Sequence, residues 1–254
     1  RSFQMEDDGF TRVWRSKKQR TVGAANGTAG KPLKTAPCTT RVDGDEHDVE
    51  TTMKRAVERM EKDQLLSAWM RREVDRALRG RPLAQVLILG NGNFDGPAEP
   101  GADQLALALG VAESFPSATI HFQDPQCSTV ERAWLEGRGI VMREEKGMTP
   151  PPMDEEDACR LVFFIHNPHG LLEELLRSDW EWGGAARSVL VCNDYGGWTD
   201  EEFEEAVDGR MPATREVVRR ARIRSLPSYS PLPFAFHQTA LIYLSEDARL
   251  PDTV

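Results

Sequence analysis

The chain has 254 residues, 39% hydrophobic and 29% charged, with 32 Lys+Arg against 41 Asp+Glu and a net charge of −9. It is too long for a disulfide-stapled miniprotein and too apolar for a disordered one, and it has room for one large domain or two small ones. No apolar run reaches the ~20 residues of a membrane span, and Arg1 to Asp8 contain no signal-peptide core. A soluble cytoplasmic or nuclear protein is therefore expected. Because the chain opens on Arg rather than Met, a fragment or processed form is expected too.

The charge is unevenly spread. Residues 1–41 hold nine basic and three acidic residues, a net +6, which leaves −15 for the rest. From Thr21 to Pro37 the chain is rich in Gly, Ala, Thr and Pro without a periodic apolar face, so residues 1–44 are predicted to be a flexible basic arm. Within residues 45–80, Met53, Ala56, Val57 and Met60 share a helical face. Leu66, Trp69, Met70, Val74, Ala77 and Leu78 continue it after a phase slip near Asp63-Gln64. This predicts one bent helix or two joined helices, ended by Gly80 and Pro82.

Residues 81–254 alternate. Strands are predicted over Ala84–Leu89, Thr119–Gln123, Gly139–Arg143, Arg160–Ile165 and Ser188–Cys192, and helices over Ala102–Ser114, Thr129–Glu136, Leu171–Leu176 and Asp200–Val207. Residues 145–157 are a polar, proline-rich connection, and Ala235–Leu244 supplies a last strand or hairpin at an edge. Near-continuously apolar strands alternating with helices require a parallel sheet covered on both faces. The predicted fold is thus α/β, a doubly wound, Rossmann-like, mostly parallel sheet with an N-terminal helical segment. Cys38, Cys127, Cys159 and Cys192 are far apart without a C-x-x-C pair, which fits reduced thiols better than disulfides.

In such sheets ligands sit beyond the carboxyl ends of the strands. Four loops lie there: Gly90-Asn91-Gly92-Asn93-Phe94, Asp124-Pro125, His166-Asn167-Pro168-His169, and Asn193-Asp194-Tyr195-Gly196-Gly197. The first resembles a dinucleotide fingerprint but has Asp95 where the third glycine belongs, and Asp124 comes 34 residues after Gly90 rather than the ~20 expected of a ribose-binding acid. The loop either approaches an adenosine-containing ligand, a nucleotide or S-adenosylmethionine, or merely turns the chain. Gly90, Gly92, Asn93, Phe94, Asp124, Pro125 and Asn193 are the candidate cofactor-binding residues. His169 and Asp124 are the candidate catalytic pair, because His169 starts a helix whose dipole favours the neutral imidazole. His166 and His169 have H-x-x-H spacing, with Asp124 or His121 as a third metal ligand, but structural use is the simpler reading and no metal is expected.

Several other features have a bland reading beside the functional one. Cys127 is a nucleophile only if exposed at a helix start. Trp180 and Trp182 either pack at the sheet edge or offer a stacking platform. Arg210, Arg215, Arg219, Arg220, Arg222 and Arg224 either compensate the acidic segment Asp200–Asp208 or form a patch for an anionic partner. The bulk acidic charge argues against nucleic acid.

Taken in order, these loops resemble the sensitivity-to-red-light-reduced family. Its Gly-x-Gly-Asn-Phe is matched by Gly90, Gly92, Asn93 and Phe94, and its Gln-Leu-Ala helix by Gln104, Leu105 and Ala106. Its Asp-Pro is Asp124-Pro125, and its Met-Pro-His-Cys keeps Pro168 and His169. Its Leu-Leu-Trp-Ser-Asn-Trp stretch keeps Leu175, Leu176, Ser178 and Trp180, and its Gly-Asn keeps Asn193. Phe10 to Arg15 resembles the family's Trp-Thr-Val-Val opening, and Ala235 to Thr239 its Ala-Phe-Asn-Asp-Thr end. Asn167, Gly170 and Arg177 replace the motif Met, Cys and first Trp, so no thiolate stands next in the chain to His169.

The resemblance implies a regulatory protein, of a family tied in plants to circadian timing and red-light signalling and elsewhere to cytoskeletal stability, stress and haem biosynthesis. Two functional readings follow. One is a ligand-sensing regulatory module whose arm 1–41 or Arg patch 210–224 meets a protein partner. The other is an enzyme, a transferase or lyase using an adenosine-containing cofactor with His169 as acid or base. Haem held by His169 is a variant of the ligand idea.

Overall fold

A computed structural model describes residues 43–96, 100–145, 147–180, 183–205, 211–245, 248 and 250–251. The basic arm, Cys38, Trp182 and Arg210 lie outside them. Helix α1 (Glu46–Lys62) opens on a capping box, in which Asp45 and Asp48 each accept the other's backbone N–H. Asp63 then ends α1 and caps α2 (Gln64–Leu78) by accepting from Leu66 N, so the phase slip marks two helices rather than one bent helix.

The core is a seven-stranded sheet in the order β3-β2-β1-β4-β5-β7-β6. Strands β1 (Leu83–Leu89), β2 (Thr119–Gln123), β3 (Val141–Met142), β4 (Cys159–Phe164) and β5 (Ser188–Asn193) are parallel. β7 (Thr239–Leu244) runs antiparallel to both its neighbours, β5 and β6 (Ala221–Ser225). The strand order reverses between β1 and β4. The helices are α3 (Gly101–Ala112), α4 (Thr129–Glu136), α5 (His169–Trp180), α6 (Asp200–Glu205) and α7 (Pro212–Arg220).

One expectation about the edge is corrected. The last strand does not lie at an edge: all six residues of β7 are buried between two strands. The edge belongs to β6, Ala-Arg-Ile-Arg-Ser, whose alternating arginines read as a charge patch rather than as a strand. Charged side chains at alternate positions are how edge strands avoid unwanted pairing.

The two faces of the sheet are covered differently. On one, α1 to α4 pack over Val86, Ile88, Phe122, Leu161, Phe163, Val191 and Leu241. Buried carboxylates interrupt this layer at Glu73 of α2, Asp103 of α3 and Glu131 of α4. Asp103 of α3, fully buried, receives Arg59 of α1 through two nitrogens, Nε at 2.9 Å and Nη2 at 2.6 Å, and also the Tyr229 hydroxyl at 2.5 Å. Paired in this way, the carboxylate's burial is compensated and α1 is tied to α3.

On the other face, α5, α6 and α7 cover Leu87, Leu89, Val162, Phe164, Leu190 and Ile242. The connection from β3 to β4 has no helix among the described residues. It is a strap whose backbone carbonyls take hydrogen bonds from the sheet. Gln123 Nε2 donates to Glu145 O and Gly147 O, Gln85 Nε2 to Pro152 O, and Arg160 Nη2 to Pro151 O. Arg160 also pairs with Asp179 of α5 at 3.0 Å, with both side chains buried.

Candidate functional site

The carboxyl ends of β2, β1, β4 and β5 are joined by a continuous belt of hydrogen bonds. Asp124, just past β2, is nearly buried, and each of its carboxylate oxygens takes a backbone N–H, Gly92 N at 2.7 Å and Gln126 N at 2.7 Å. Gly92 has φ +74°, and no atom lies within 4 Å of where a Cβ would stand. Gly90 has φ +59°, and a Cβ there would sit 2.0 Å from Asn167 Oδ1, so only glycine fits. Asn167 Nδ2 in turn donates to Leu89 O, Gly90 O and Ile165 O, and its carbonyl accepts from Asn193 Nδ2 at 3.0 Å.

Glu131 holds the next part of the β1 loop. It is fully buried and accepts from Asn93 Nδ2, Phe94 N, Asp95 N and Ser128 N. The Ser128 bond is one half of the capping box of α4. Phe94 points into the core, edge-on to Phe122 and Trp134, and not toward the strand ends. The Cys127 thiol is pushed up to about 12 by burial and then by Glu131 and Asp124, so it is no nucleophile at neutral pH.

His169 is the first residue of α5. Its Nδ1 lies 2.8 Å from the Tyr195 hydroxyl, and its ring meets Tyr195 and Trp198 edge-on. Burial lowers its pKa, so the ring is neutral at pH 7. A buried Tyr hydroxyl needs an acceptor, and His169 Nδ1 is positioned to be it, which assigns the imidazole proton to Nε2. Nε2 makes no hydrogen bond among the described residues and is thus a spare donor. His166 has φ +57° and its Nε2 lies 2.6 Å from His237 O, so the two imidazoles of the H-x-x-H pair serve different partners. Trp180 is core, its indole N–H bonded to Pro251 O.

The structure therefore gathers Gly90, Gly92, Asp124 and Asn193 in one belt, sets His169 two strands from Asp124, ~10 Å across the sheet, and leaves Phe94 out. Sequence reasoning missed Glu131 and Tyr195. Ser128-Thr-Val-Glu131 before an apolar helix is a capping-box pattern that could have singled out the glutamate.

The SRR1 domain model matches residues 56–243. No curated protein matches the chain. Among solved structures, the pyocyanin biosynthetic protein PhzM is similar with TM-score 0.36 and 17% identity, over 72% of this chain and 55% of that one, so the chain spans little more than half of PhzM. A mutant form of MtNAS gives 0.41 and 12%, over 78% and 70%. Precorrin-6y C5,15-methyltransferase from Geobacter metallireducens gives 0.37 and 17%, over 68% and 84%. Likeness at this level says nothing of what this chain binds. The family match covers most of the chain, from α1 to β7, and takes in all four loops of the belt: the chain belongs to the SRR1 domain family.

Proposed function

We propose that this protein is a regulatory module, of the circadian, stress or haem-linked kind, that senses a small adenosine-type ligand above the belt. The observation that carries the reading is the pairing of open space beside the Gly92 Cα with a spare imidazole donor at His169, across the point where strand order reverses.

Charge narrows the ligand. Asp124 and Glu131 are buried against the β1 loop and accept only backbone and amide N–H groups, with no Lys or Arg paired to either among the described residues. A pyrophosphate would lie near two carboxylates that have no cationic partner among the described residues, a repulsion that a neutral nucleoside or a cationic sulfonium does not meet. A binding role also fits the assigned tautomer, since Nε2–H donates a hydrogen bond and does not take a proton.

Thermal unfolding with adenosine, S-adenosylmethionine, ATP and haem tests this. Adenosine or S-adenosylmethionine is expected to raise Tm by roughly 5–10 °C at a hundredfold excess over Kd. ATP should do far less, and His169→Ala should reduce the shift. No shift with either unphosphorylated ligand, an equal shift with ATP, or a larger shift with haem overturns the reading. The second reading, a transferase using the same cofactor, draws on the neutral imidazole. It requires methyl or nucleoside transfer that His169→Ala abolishes while ligand binding survives.

A further inference from the structure

We propose that the edge strand β6, together with the flank of α2, docks an acidic, extended segment of a protein partner as an added strand. The backbone is available for it. Leu226 N donates to Thr239 O, which continues the β6–β7 register outward and makes Leu226, Arg224 and Arg222 the residues that bond β7. The N–H and C=O groups of Ile223 and Ser225 therefore point away from the sheet. Among the described residues no strand lies beyond β6 and no hydrogen bond is made to these groups.

The side chains specify the sign. Alternation places Arg222 and Arg224 on one face of β6, next to α2. There Arg224, Arg76 and Arg72 converge on one carboxylate oxygen, Glu73 Oε1, at 4.0, 2.5 and 3.7 Å. Glu73 is fully buried, and its second oxygen has no hydrogen bond among the described residues. One buried carboxylate, hydrogen-bonded to Arg76, so gathers three guanidiniums that are each half exposed or more, and Arg222 adds a fourth exposed cation. Asp75 is the neighbouring exposed acid on α2. A strand with arginines only to guard its edge has no need of two more presented from a helix. Within a protein of net charge −9 this is a local cationic strip beside an open ladder, and it complements a strand with acids at alternate positions.

The test is fluorescence anisotropy on the full chain, with a labelled peptide of alternating Glu and Val long enough to span the five residues of β6. Binding that weakens with salt is expected, together with at least a roughly tenfold loss in Arg222→Glu/Arg224→Glu. A similar loss is expected when the peptide is N-methylated at alternate residues, a change that leaves the protein untouched. The proposal is overturned if the Lys-Val counterpart binds as well, if the charge reversal or N-methylation has no effect, or if a single-stranded oligonucleotide binds more tightly. A dimer of the chain that Arg222→Glu/Arg224→Glu abolishes would also overturn it, by showing that the edge belongs to a second copy. None of these outcomes depends on whether adenosine binds.

Discussion

On one side of the sheet, α1 to α4 bury apolar side chains around a few buried carboxylates, such as Asp103 tied by Arg59 and Tyr229. On the other, part of the cover is a strap without regular structure, held because sheet side chains reach up to its carbonyls. The helices are stabilised by area removed from water, the strap by particular hydrogen bonds. The difference is that a helix satisfies its own backbone and asks its neighbours only for shape, whereas a strap needs donors placed one by one.

The largest expected effect breaks the polar side. Asp179→Ala leaves Arg160 buried without its partner and should cost about 3–5 kcal/mol in urea or thermal unfolding. The paired replacement Arg160→Met/Asp179→Leu should recover most of it. On the helical side Leu105→Ala should cost about 2–5 kcal/mol, with no polar replacement able to restore it. If the double variant is as unstable as Asp179→Ala, the loss comes from more than an unpaired buried charge.

Gly90→Ala comes next, at about 1–3 kcal/mol from backbone strain and the clash with Asn167, read from the denaturation midpoint. Gln123→Leu should cost about 1–2 kcal/mol. Its sharper readout is faster amide exchange at Gly147 and Met148 with α1 to α4 unchanged. Uniform acceleration over the whole chain would contradict the division into two faces.

The smallest effect concerns pH. Burial lowers the pKa of His169, so the unfolded chain binds a proton there first as pH falls. Stability contributed by the neutral ring is present above its unfolded value of about 6.5 and is lost below it. The slope of stability between pH 7 and 5 should flatten in His169→Gln; an unchanged slope would place the titration elsewhere, with His121 and His166, both also lowered by burial, the alternatives.

The alternation of apolar strands with helices made the parallel core readable, because burial on both faces leaves continuous runs such as Val86 to Leu89. β6 was hidden because an edge strand needs only one buried face, and Ile223 is a single apolar residue between two arginines. Much of the belt was legible as glycine and asparagine at strand ends. Its wiring was not, since Asn167 closing on Gly90 and Glu131 gathering N–H groups of Asn93, Phe94 and Asp95 are contacts between distant parts of the chain.

The strap has one more consequence. Pro150, Pro151 and Pro152 carry no amide hydrogen, so this stretch accepts hydrogen bonds from the sheet and returns none. Beneath the strap, Gln85 Oε1 and Gln123 Oε1 are both left without a partner among the described residues. A one-way ceiling of this kind dictates which substitutions the floor tolerates. Glutamate in place of Gln85, nearly the same shape, sets a buried acceptor against carbonyls that have nothing to give, whereas methionine only removes the donor.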